Sequence, residues 1–318
     1  MLRYSLRQLE YFATVAERRS IANAAHLLNV SQPSVSKAIT NLERQLNVQL
    51  FVRHHARGVS LTPAGERLLV DARGLLRYAG ELQQNAQASS AAPTGRLELA
   101  CFLTVAPVFM PSLLSEFSEH YPGIGIGLHE GNQDDLVSGL SSGRFELAFM
   151  YDLMLPDDIE IDVLASFDPY VLLPEQHHLA KRKRISLASL KDEPFILLDV
   201  PPSREYFMGL FRDIGIEPRV AFSSPSIEMV RGLVGRNRGY SLLVTHPYYD
   251  LTYDGQTIVT RPLVDQTTGG DLGIARLAQF RPSRVMTVFS QFCKAWFQRH
   301  HPGRGPCEAA PIRDSAIA

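Results

Sequence analysis

The chain has 318 residues, of which 45% are hydrophobic and 20% are charged. This length exceeds the roughly 150 residues of a typical domain, and the composition excludes a disordered, collagen-like or disulfide-rich protein. The formal charge of −1 hides an asymmetry, because residues 1–88 hold eleven lysines and arginines against six acidic residues. The front of the chain has the charge to attract a polyanion, although a solvated basic surface would have the same composition.

Cysteine usage and hydropathy predict a water-soluble protein in a reducing compartment. Cys101, Cys293 and Cys307 are widely separated and odd in number, which fits a disulfide framework poorly. Cys101 lies in an apolar run, so we expect an inert core thiol there in preference to a redox sensor. Pro107 and Pro111 interrupt the longest uncharged stretch, and the amino terminus lacks the apolar core of a secretory signal. We therefore expect a cytoplasmic protein without a membrane partner.

Three short helices are predicted at the amino terminus. Ser5 can cap the first, which ends near Arg19, and the second covers about 21–28. Ser31 can cap the third, whose inward stripe is Val35, Ala38, Ile39, Leu42 and Leu46. The outward face of the third helix carries donors and acceptors that suit base edges and phosphates: Gln32, Ser34, Ser36, Lys37, Thr40 and Asn41. This pattern predicts a helix-turn-helix.

A wing and a long helix follow. Extended pieces at 50–53 and 59–61 flank a basic loop, and Thr62 can cap a helix that starts at Pro63 and ends near Ala88. Its apolar residues recur close to heptad spacing: Leu68, Leu69, Ala72, Leu75, Leu76, Ala79 and Leu82. A helix this long beside a small domain favours dimerisation, and packing of the helix on its own domain is the alternative.

Beyond a small-residue hinge at 89–95, predicted strands alternate with predicted helices. The first set has strands at 96–101, 124–129 and 147–151 and helices near 107–120 and 134–142. The second set has strands near 170–173, 195–198, 219–222 and 240–244 and helices near 204–214 and 227–236. The alternation in the first set predicts a mainly parallel sheet with helices on both faces, and the two sets together predict two α/β lobes. The segment at about 273–296 is expected to return to the first lobe, and 301–318 is expected to be a disordered tail.

Several motifs occur in order and at fixed spacing. They are LEYF at 9–12, AAHLLNVSQPSVSKAI at 24–39, LE at 42–43, LFVR at 50–53 and LTPAG at 61–65. With these motifs, residues 6–69 resemble the amino-terminal domain of LysR-type transcriptional regulators. Three more segments resemble the effector domain of that family: PSLLSEF at 111–117, YPG at 121–123 and LSSGRFELA at 140–148. The resemblance covers about residues 3–298.

The resemblance implies an α/β protein with an all-α, winged helix-turn-helix domain at its amino end. The implied divisions are a DNA-binding domain at 1–62, a linker and dimerisation helix at 63–88, the hinge at 89–95 and an effector domain at 96–300. The effector domain would resemble type 2 periplasmic binding proteins, which hold a small ligand between two lobes. Lobe I is expected at about 96–165 and 270–298, and lobe II at about 166–269.

The resemblance also implies which residues contact DNA. These are Gln32, Pro33, Ser36 and Lys37 in the major groove, with Ser34 nearby and the wing residue Arg53 near a phosphate. Lys37 stands where arginine is more usual in the family. Because lysine lacks the two-pronged guanidinium, its base discrimination is expected to be looser. For each of these side chains alone, a solvated helix face is the alternative.

Five residues are candidates for the ligand cleft that the resemblance implies: Thr104, Asn132, Ser203, Phe102 and Tyr151. Thr104 follows the first strand of the lobe and precedes a helix, so its hydroxyl and the free amides of that helix would face an anionic group. Asn132 and Ser203 begin helices, where they either bind a ligand or simply cap the helix. Phe102 and Tyr151 would form aromatic walls, or they pack in the core or hinge.

The favoured hypothesis is a sequence-specific transcription factor in which a small, anionic effector shifts the two lobes, rearranges the oligomer and changes DNA bending. The alternatives are an enzyme with an accessory DNA-binding domain and a nonspecific nucleoid protein. We expect no enzyme, cofactor or metal site, because nucleotide, nucleophile and metal motifs are missing and the histidine pairs at 177–178 and 300–301 are expected in surface loops or the tail. The expected partners are double-stranded DNA, the effector, further copies of the chain as a dimer or tetramer, and RNA polymerase.

Overall fold

The computed structural model describes residues 4–54, 58–87, 93–265, 267, 269–279 and 281–301. Three helices form the amino-terminal domain: α1 (Leu6–Arg18), α2 (Ile21–Leu27) and α3 (Gln32–Leu46). Each begins after a serine whose side chain accepts a hydrogen bond from a backbone amide of the first turn: Ser5, Ser20 and Ser31. These caps satisfy amides that the first turn leaves unpaired, so local sequence sets where the helices start.

A two-stranded antiparallel wing completes the domain: β1 (Phe51–His54) and β2 (Gly58–Leu61). The ring of Phe51 lies 5.3 Å from that of Phe12, which is fully buried between the helices. Gly58 has a φ of 84°, and a Cβ at this position would lie 2.2 Å from the carbonyl oxygen of Arg19. Because no side chain fits there, the wing can approach α1 only through a glycine.

The long helix α4 (Pro63–Gln87) presents two apolar faces. It begins after Thr62, whose hydroxyl accepts a hydrogen bond from the Gly65 amide at 3.0 Å. Residues on one face pack against the amino-terminal core: Leu68, Leu69, Ala72 and Leu76. Residues on another face are exposed by 41%, 56% and 54%, respectively: Leu75, Tyr78 and Leu82. Part of the predicted stripe therefore packs on its own domain, and part of it is exposed on the helix surface.

Lobe I is built on a five-stranded sheet. In spatial order its strands are β4 (Ile124–Gly131), β3 (Gly95–Phe102), β5 (Leu147–Tyr151), β12 (Gly270–Leu277) and β6 (Ile159–Phe167). Three helices belong to this lobe: α5 (Ala106–His120), α6 (Gln133–Ser141) and α9 (Arg284–His300). The late segment of the chain contributes β12 to this sheet and α9 to this lobe. Of the predicted hinge, residues 89–92 lie outside the described residues, and Gly95 already belongs to β3.

Among its described residues, lobe II has five strands, two α-helices and a short 3-10 helix at Leu187–Leu190. The strands are β7 (Tyr170–Pro174), β8 (Pro194–Leu198), β9 (Arg219–Ser224), β10 (Ser241–Leu243) and β11 (Ile258–Pro262). The α-helices are α7 (Ser203–Asp213) and α8 (Ile227–Gly235). Strands β8 and β9 are parallel, whereas β7 pairs antiparallel with β10 and β11. An isolated bridge between Phe195 and Tyr240 links the two groups of strands.

The three strands predicted for the first set, β3, β4 and β5, are parallel to one another as expected, but strands β6 and β11 were missed. In lobe I, β12 runs antiparallel to both β5 and β6. The chain leaves lobe I after Phe167 and re-enters it at Gly270, at the end of the sheet that faces lobe II. A strand that starts at this end must run opposite to β5, which finishes there. Within the described residues, none of the helices is long and apolar enough to span a membrane.

Candidate functional site

One face of α3 is exposed over its first two turns. Val35 and Ile39 are fully buried against the other helices, whereas Gln32 and Lys37 are exposed. Pro33 and Ser34 are also exposed, and Ser36 is half-buried. This surface presents amide, hydroxyl and ammonium groups from one end of the helix, and no other element in the described part of the chain covers them. Such groups form hydrogen bonds with base edges in a major groove.

The cap and the wing shape this surface. The Ser34 hydroxyl lies 2.7 Å from that of Ser31, so part of its hydrogen-bonding capacity serves the start of α3. Nη2 of Arg53 in β1 lies 3.5 Å from Oγ1 of Thr40, which places the wing strand beside α3. The structure thus brings the six predicted DNA-contacting residues onto one surface. The tip of the wing, residues 55–57, lies outside the described residues.

A narrow cleft lies between the two lobes. Its polar lining consists of hydroxyl groups: Thr104, Tyr151, Ser203, Tyr206 and Thr245. Its walls are mainly apolar: Leu153, Leu198, Pro202, Phe207, Ile227, Leu243, Val244 and Gly270. The volume open to a water-sized molecule is about 20 Å³, which suits about one water molecule. Ligands larger than this enter only if the lobes part.

Two of the three helices that begin at this cleft lack side-chain caps, and the third, α8, begins at Ile227 and is capped by Ser226. Within the described residues, no side chain caps α5, which begins after Thr104 and Val105, or α7, which begins at Ser203. The other helices begin with a side-chain cap: Ser5, Ser20, Ser31, Thr62, Asn132, Ser226 and Ser283. A helix amino end carries partial positive charge, so the two uncapped ends favour an anionic group between the lobes.

A buried hydrogen bond joins the lobes at the base of the cleft. The Tyr151 hydroxyl lies 2.6 Å from Oγ1 of Thr245, and Tyr170 donates to the Thr245 carbonyl at 3.0 Å. Burial raises the pKa of Tyr151 well above its ordinary value, and the hydrogen bond to Thr245 offsets part of that effect. Thr245 is not among the residues predicted from the sequence, although it directly follows the predicted strand at 240–244.

Replacing Tyr151 by phenylalanine is expected to lower the free energy of unfolding by about 1–3 kcal/mol, because the buried Thr245 hydroxyl loses its partner. The pKa of Tyr151 is higher in the folded than in the unfolded chain, so the unfolded chain releases this proton first. Wild-type stability should therefore fall as pH rises above roughly 10, and Tyr151→Phe should weaken that dependence. Urea unfolding at neutral and alkaline pH measures both effects. Tyr253→Phe, at a residue 89% exposed, is the control. If the wild type, Tyr151→Phe and Tyr253→Phe had equal pH dependence, the raised pKa of Tyr151 would be contradicted.

Two of the candidate residues are used for local structure. Phe102 is fully buried and meets the Tyr151 ring edge-on at a centroid distance of 5.9 Å. Oδ1 of Asn132 accepts a hydrogen bond from the Asp135 amide at 2.9 Å, which caps α6. The structure places neither among the residues that line the cleft. Thr104, Tyr151 and Ser203 do line it, and Thr104 is 3% exposed.

A larger groove of about 360 Å³ lies on the other side of Val244, against the two segments that connect the lobes. Two of its charged side chains, Arg184 and Asp265, form hydrogen bonds with the backbone nearby. Nη2 of Arg184 donates to the Leu263 carbonyl at 2.6 Å, and Asp265 accepts from the Leu187 amide at 2.9 Å. Because these groups stabilise lobe II itself, the interlobe cleft is the better candidate for a ligand.

The histidine pairs are not confined to surface loops or the tail, so that prediction is wrong in part. His177 is largely buried, and its Nε2 lies 2.5 Å from Glu193 while its Nδ1 accepts a hydrogen bond from the Leu179 amide. With Nδ1 accepting, the proton of the neutral ring is on Nε2, facing Glu193. The trio of His177, His178 and Glu193 has metal-ligand spacing, but this proton occupies the position that a metal would need.

His301 packs against lobe I instead of starting a tail. Its ring lies 5.2 Å from that of Phe109 and 5.8 Å from that of Phe167. Burial lowers the pKa of His301, with the nearby charge of His300 acting in the same direction. The rest of the predicted tail, 302–318, lies outside the described residues.

Cys101 and Cys293 are both buried within lobe I. Burial raises the pKa of each thiol well above its ordinary value. Reactive cysteines need an accessible thiolate, so these two thiols are poorly suited to redox sensing. Cys307 lies outside the described residues.

The sequence matches two family models. One is the "Bacterial regulatory helix-turn-helix protein, lysR family", over residues 6–66, and the other is the "LysR substrate binding domain", over residues 90–298. The chain belongs to the LysR family of bacterial transcriptional regulators. It is therefore a DNA-binding regulator with an effector-binding domain, and not an enzyme.

Individual LysR-type relatives are similar in sequence to this chain over nearly their whole length. The chain is 32% identical over 293 residues to the uncharacterized HTH-type transcriptional regulator YvbU of Bacillus subtilis, covering 92% of this chain and 99% of that protein. It is 43% identical to HinK, a LysR family regulator from Pseudomonas aeruginosa, with a TM-score of 0.63 and coverage of 92% and 99%. CbnR, solved in complex with its target DNA, is 27% identical, with a TM-score of 0.54 and the same coverage.

Proposed function

We propose that this LysR regulator reads a pseudo-palindromic operator with α3 in the major groove and with Arg53 of the wing at a phosphate. The exposed face of α3, which carries Gln32 and Lys37, supports the first contact. The position of Arg53 beside Thr40 supports the second. CbnR was solved bound to DNA. The helix-turn-helix family model matches residues 6–66 of this chain, which include α3 and the wing.

Dimerisation through α4 completes this reading of the operator. LysR regulators form oligomers, and the exposed face of Leu75, Tyr78 and Leu82 supports an α4–α4 contact between two copies. The three residues recur at spacings of three and four, as in a coiled-coil seam. A dimer with two recognition helices explains a two-fold operator, and a pair of such dimers would form the tetramer.

The effector is proposed to be a small organic anion bound between the lobes. The observation that carries this proposal is the pair of uncapped helix ends, α5 and α7, which meet across a hydroxyl-lined cleft. Thr104, Ser203, Thr245 and Tyr151 supply hydrogen bonds, while the apolar walls exclude water from the anion. No cofactor is needed for this chemistry.

Binding is proposed to act by changing the lobe arrangement. The cleft is nearly closed here, so an anion larger than water favours a state with the lobes further apart. That state would reposition the DNA-binding domains in the oligomer and alter DNA bending near the promoter. RNA polymerase is the proposed downstream partner. The cytoplasm, where the chromosome lies, is the proposed location.

A ligand screen tests the cleft. Thermal unfolding of the full-length protein is followed with a panel of small carboxylates, and any stabilising compound is titrated by calorimetry. Thr104→Val and Ser203→Ala are each expected to weaken binding by about tenfold to a hundredfold, because each removes a hydrogen bond to a charged group. The matched controls Thr287→Val and Ser189→Ala, outside the cleft, should bind as the wild type does. Equal affinity in all variants would overturn the cleft assignment.

A further inference from the structure

Arg73 of α4 contacts both the DNA-binding domain and lobe I. Its Nη2 donates to Oε1 of Glu17 in α1 at 3.0 Å, and its Nη1 donates to the carbonyl oxygen of Ser142, directly after α6, at 2.6 Å. The Arg73 side chain is 16% exposed and that of Glu17 is 52% exposed, so the bond to Ser142 is the better shielded of the two. One guanidinium therefore joins α1, α4 and the end of α6.

The chemistry of this contact is specific to arginine. The Ser142 carbonyl lies at the carboxyl end of α6, where the helix dipole places partial negative charge. A guanidinium donates to two acceptors in fixed directions, whereas the ammonium of a lysine has no such fork. Gly143 has a φ of 65°, and a Cβ at that position would lie 3.5 Å from Cδ of Arg73. Lobe I thus packs directly on the aliphatic part of the arginine, through a tight turn that favours glycine.

A second arginine supports the same contact one turn further along α4. Nε of Arg77 lies 3.4 Å from Oε1 of Glu146. The other oxygen of Glu146 accepts a hydrogen bond from the Glu98 amide in β3 at 3.1 Å, and the Glu98 carboxylate lies 3.0 Å from His129 of β4. The contact between α4 and lobe I is therefore anchored in the central sheet of the lobe.

The opposite end of α6 reaches the effector cleft. Gln133 is buried, and its Nε2 donates to the carbonyl of Leu153, which lines the cleft. Oε1 of Gln133 is buried without a hydrogen-bond partner among the described residues. A displacement of the cleft wall at Leu153 therefore acts on one end of a nine-residue helix whose other end contacts Arg73.

We propose that Arg73 is the positioning residue that orients the DNA-binding domain against lobe I, and that α6 transmits the state of the cleft to it. The first part rests on the contacts alone, and the second part also rests on the proposed effector function. When α6 shifts, the Ser142 carbonyl moves away from Arg73, which then holds only Glu17. The hold of lobe I on the helix-turn-helix is then weakened to the ion pair between Arg77 and Glu146, and the placement of the two recognition helices on the operator changes.

The test uses the full-length oligomer and an operator recovered by in vitro selection, without any ligand. Arg73→Met should raise hydrogen exchange of the amides at the end of α6 by about tenfold and change the DNA bend angle. Affinity for a duplex with a single half-site should stay within about twofold, because the recognition surface is untouched. Arg73→Lys should give intermediate values. Arg67→Met, at an exposed arginine of the same helix, should behave as the wild type does.

Unchanged exchange and bending in Arg73→Met would overturn the positioning role. A large loss of half-site affinity would overturn it as well, because it would show that Arg73 serves the DNA-binding domain itself.

Transmission through α6 is tested with Gln133→Leu, which removes the link to Leu153. It should change the bend angle in the wild-type background but have no further effect in Arg73→Met. Additive effects of the two substitutions would overturn transmission. Since no anion is used, failure of the ligand screen and failure of this test are separate results.

Discussion

Lys37→Ala is expected to weaken operator binding by about tenfold to a hundredfold, which is roughly 1–3 kcal/mol. Lys37 lies on the exposed face of α3, opposite the buried Val35 and Ile39, so the substitution removes a cation that faces DNA without disturbing the core. If the ammonium contacts a base, the loss should be concentrated at one operator position. If it contacts a phosphate, the loss of affinity should be the same for all sequences. The slope of log affinity against log salt concentration should then fall by about one.

Fluorescence anisotropy with selected operator and scrambled DNA, at several salt concentrations, measures these quantities. Arg44→Ala is the matched control, because Arg44 is an exposed cation near the other end of α3, where it donates to Asn41. Lys37→Arg should sharpen base discrimination, since arginine can form two parallel hydrogen bonds to guanine. Equal losses in Lys37→Ala and Arg44→Ala would show that only net charge matters, and the assignment of α3 as the reading surface would fail.

The double variant Leu75→Glu and Leu82→Glu is expected to separate the oligomer and to weaken operator binding by about 10²- to 10⁴-fold, because each half-site is then bound independently. Both side chains are exposed, on a face of α4 beside the one that packs against the amino-terminal core. Charged residues at facing positions of a helix pair repel each other and leave apolar contact area unburied.

Analytical ultracentrifugation gives the mass, and DNA titration gives the affinity. Methionine at the same two positions keeps the surface apolar, so that variant should remain oligomeric. The glutamate variant should have the thermal stability of a single wild-type subunit, because Leu69 and Ala72 are buried and hold α4 on its own domain. A glutamate variant with unchanged mass would place the main oligomer contact elsewhere.

The sequence alone was sufficient to predict helix starts and helix faces, because both depend on residues that are close together along the chain. Ser5, Ser31 and Thr62 each occur three residues before the amide that they cap, so the helix starts were predictable from the sequence. The alternation of buried and exposed residues on α3 followed from helical periodicity in the same way. The outward face of α3 was therefore predictable residue by residue.

Features that depend on distant parts of the chain were not readable. The direction of β12 depends on where the chain re-enters lobe I, and no local pattern records that position. The bond between Tyr151 and Thr245 joins residues 94 positions apart, and that between Arg73 and Ser142 spans 69 positions. The heptad-like stripe of α4 could not show which apolar residues the amino-terminal core would cover. These contacts become visible only when both lobes and the long helix are packed.

The candidate cleft was predictable in part for the same reason. Thr104 and Ser203 were identifiable because each lies at the start of a helix. Asn132 has the same local pattern, yet its side chain caps its own helix. Sequence spacing does not distinguish a capping side chain from one that faces a cleft, since both occur at helix amino ends.

The most direct test of the account is genome-wide DNA occupancy of the native protein compared with that of Lys37→Ala. We expect the native protein to concentrate at sites that share one inverted-repeat motif, and we expect those sites to be lost in the variant. The genes beside the motif would then narrow the choice of anions to be tested against Thr104 and Ser203. Diffuse occupancy without a motif, equal in both proteins, would contradict sequence-specific regulation and would indicate a nonspecific DNA-binding protein.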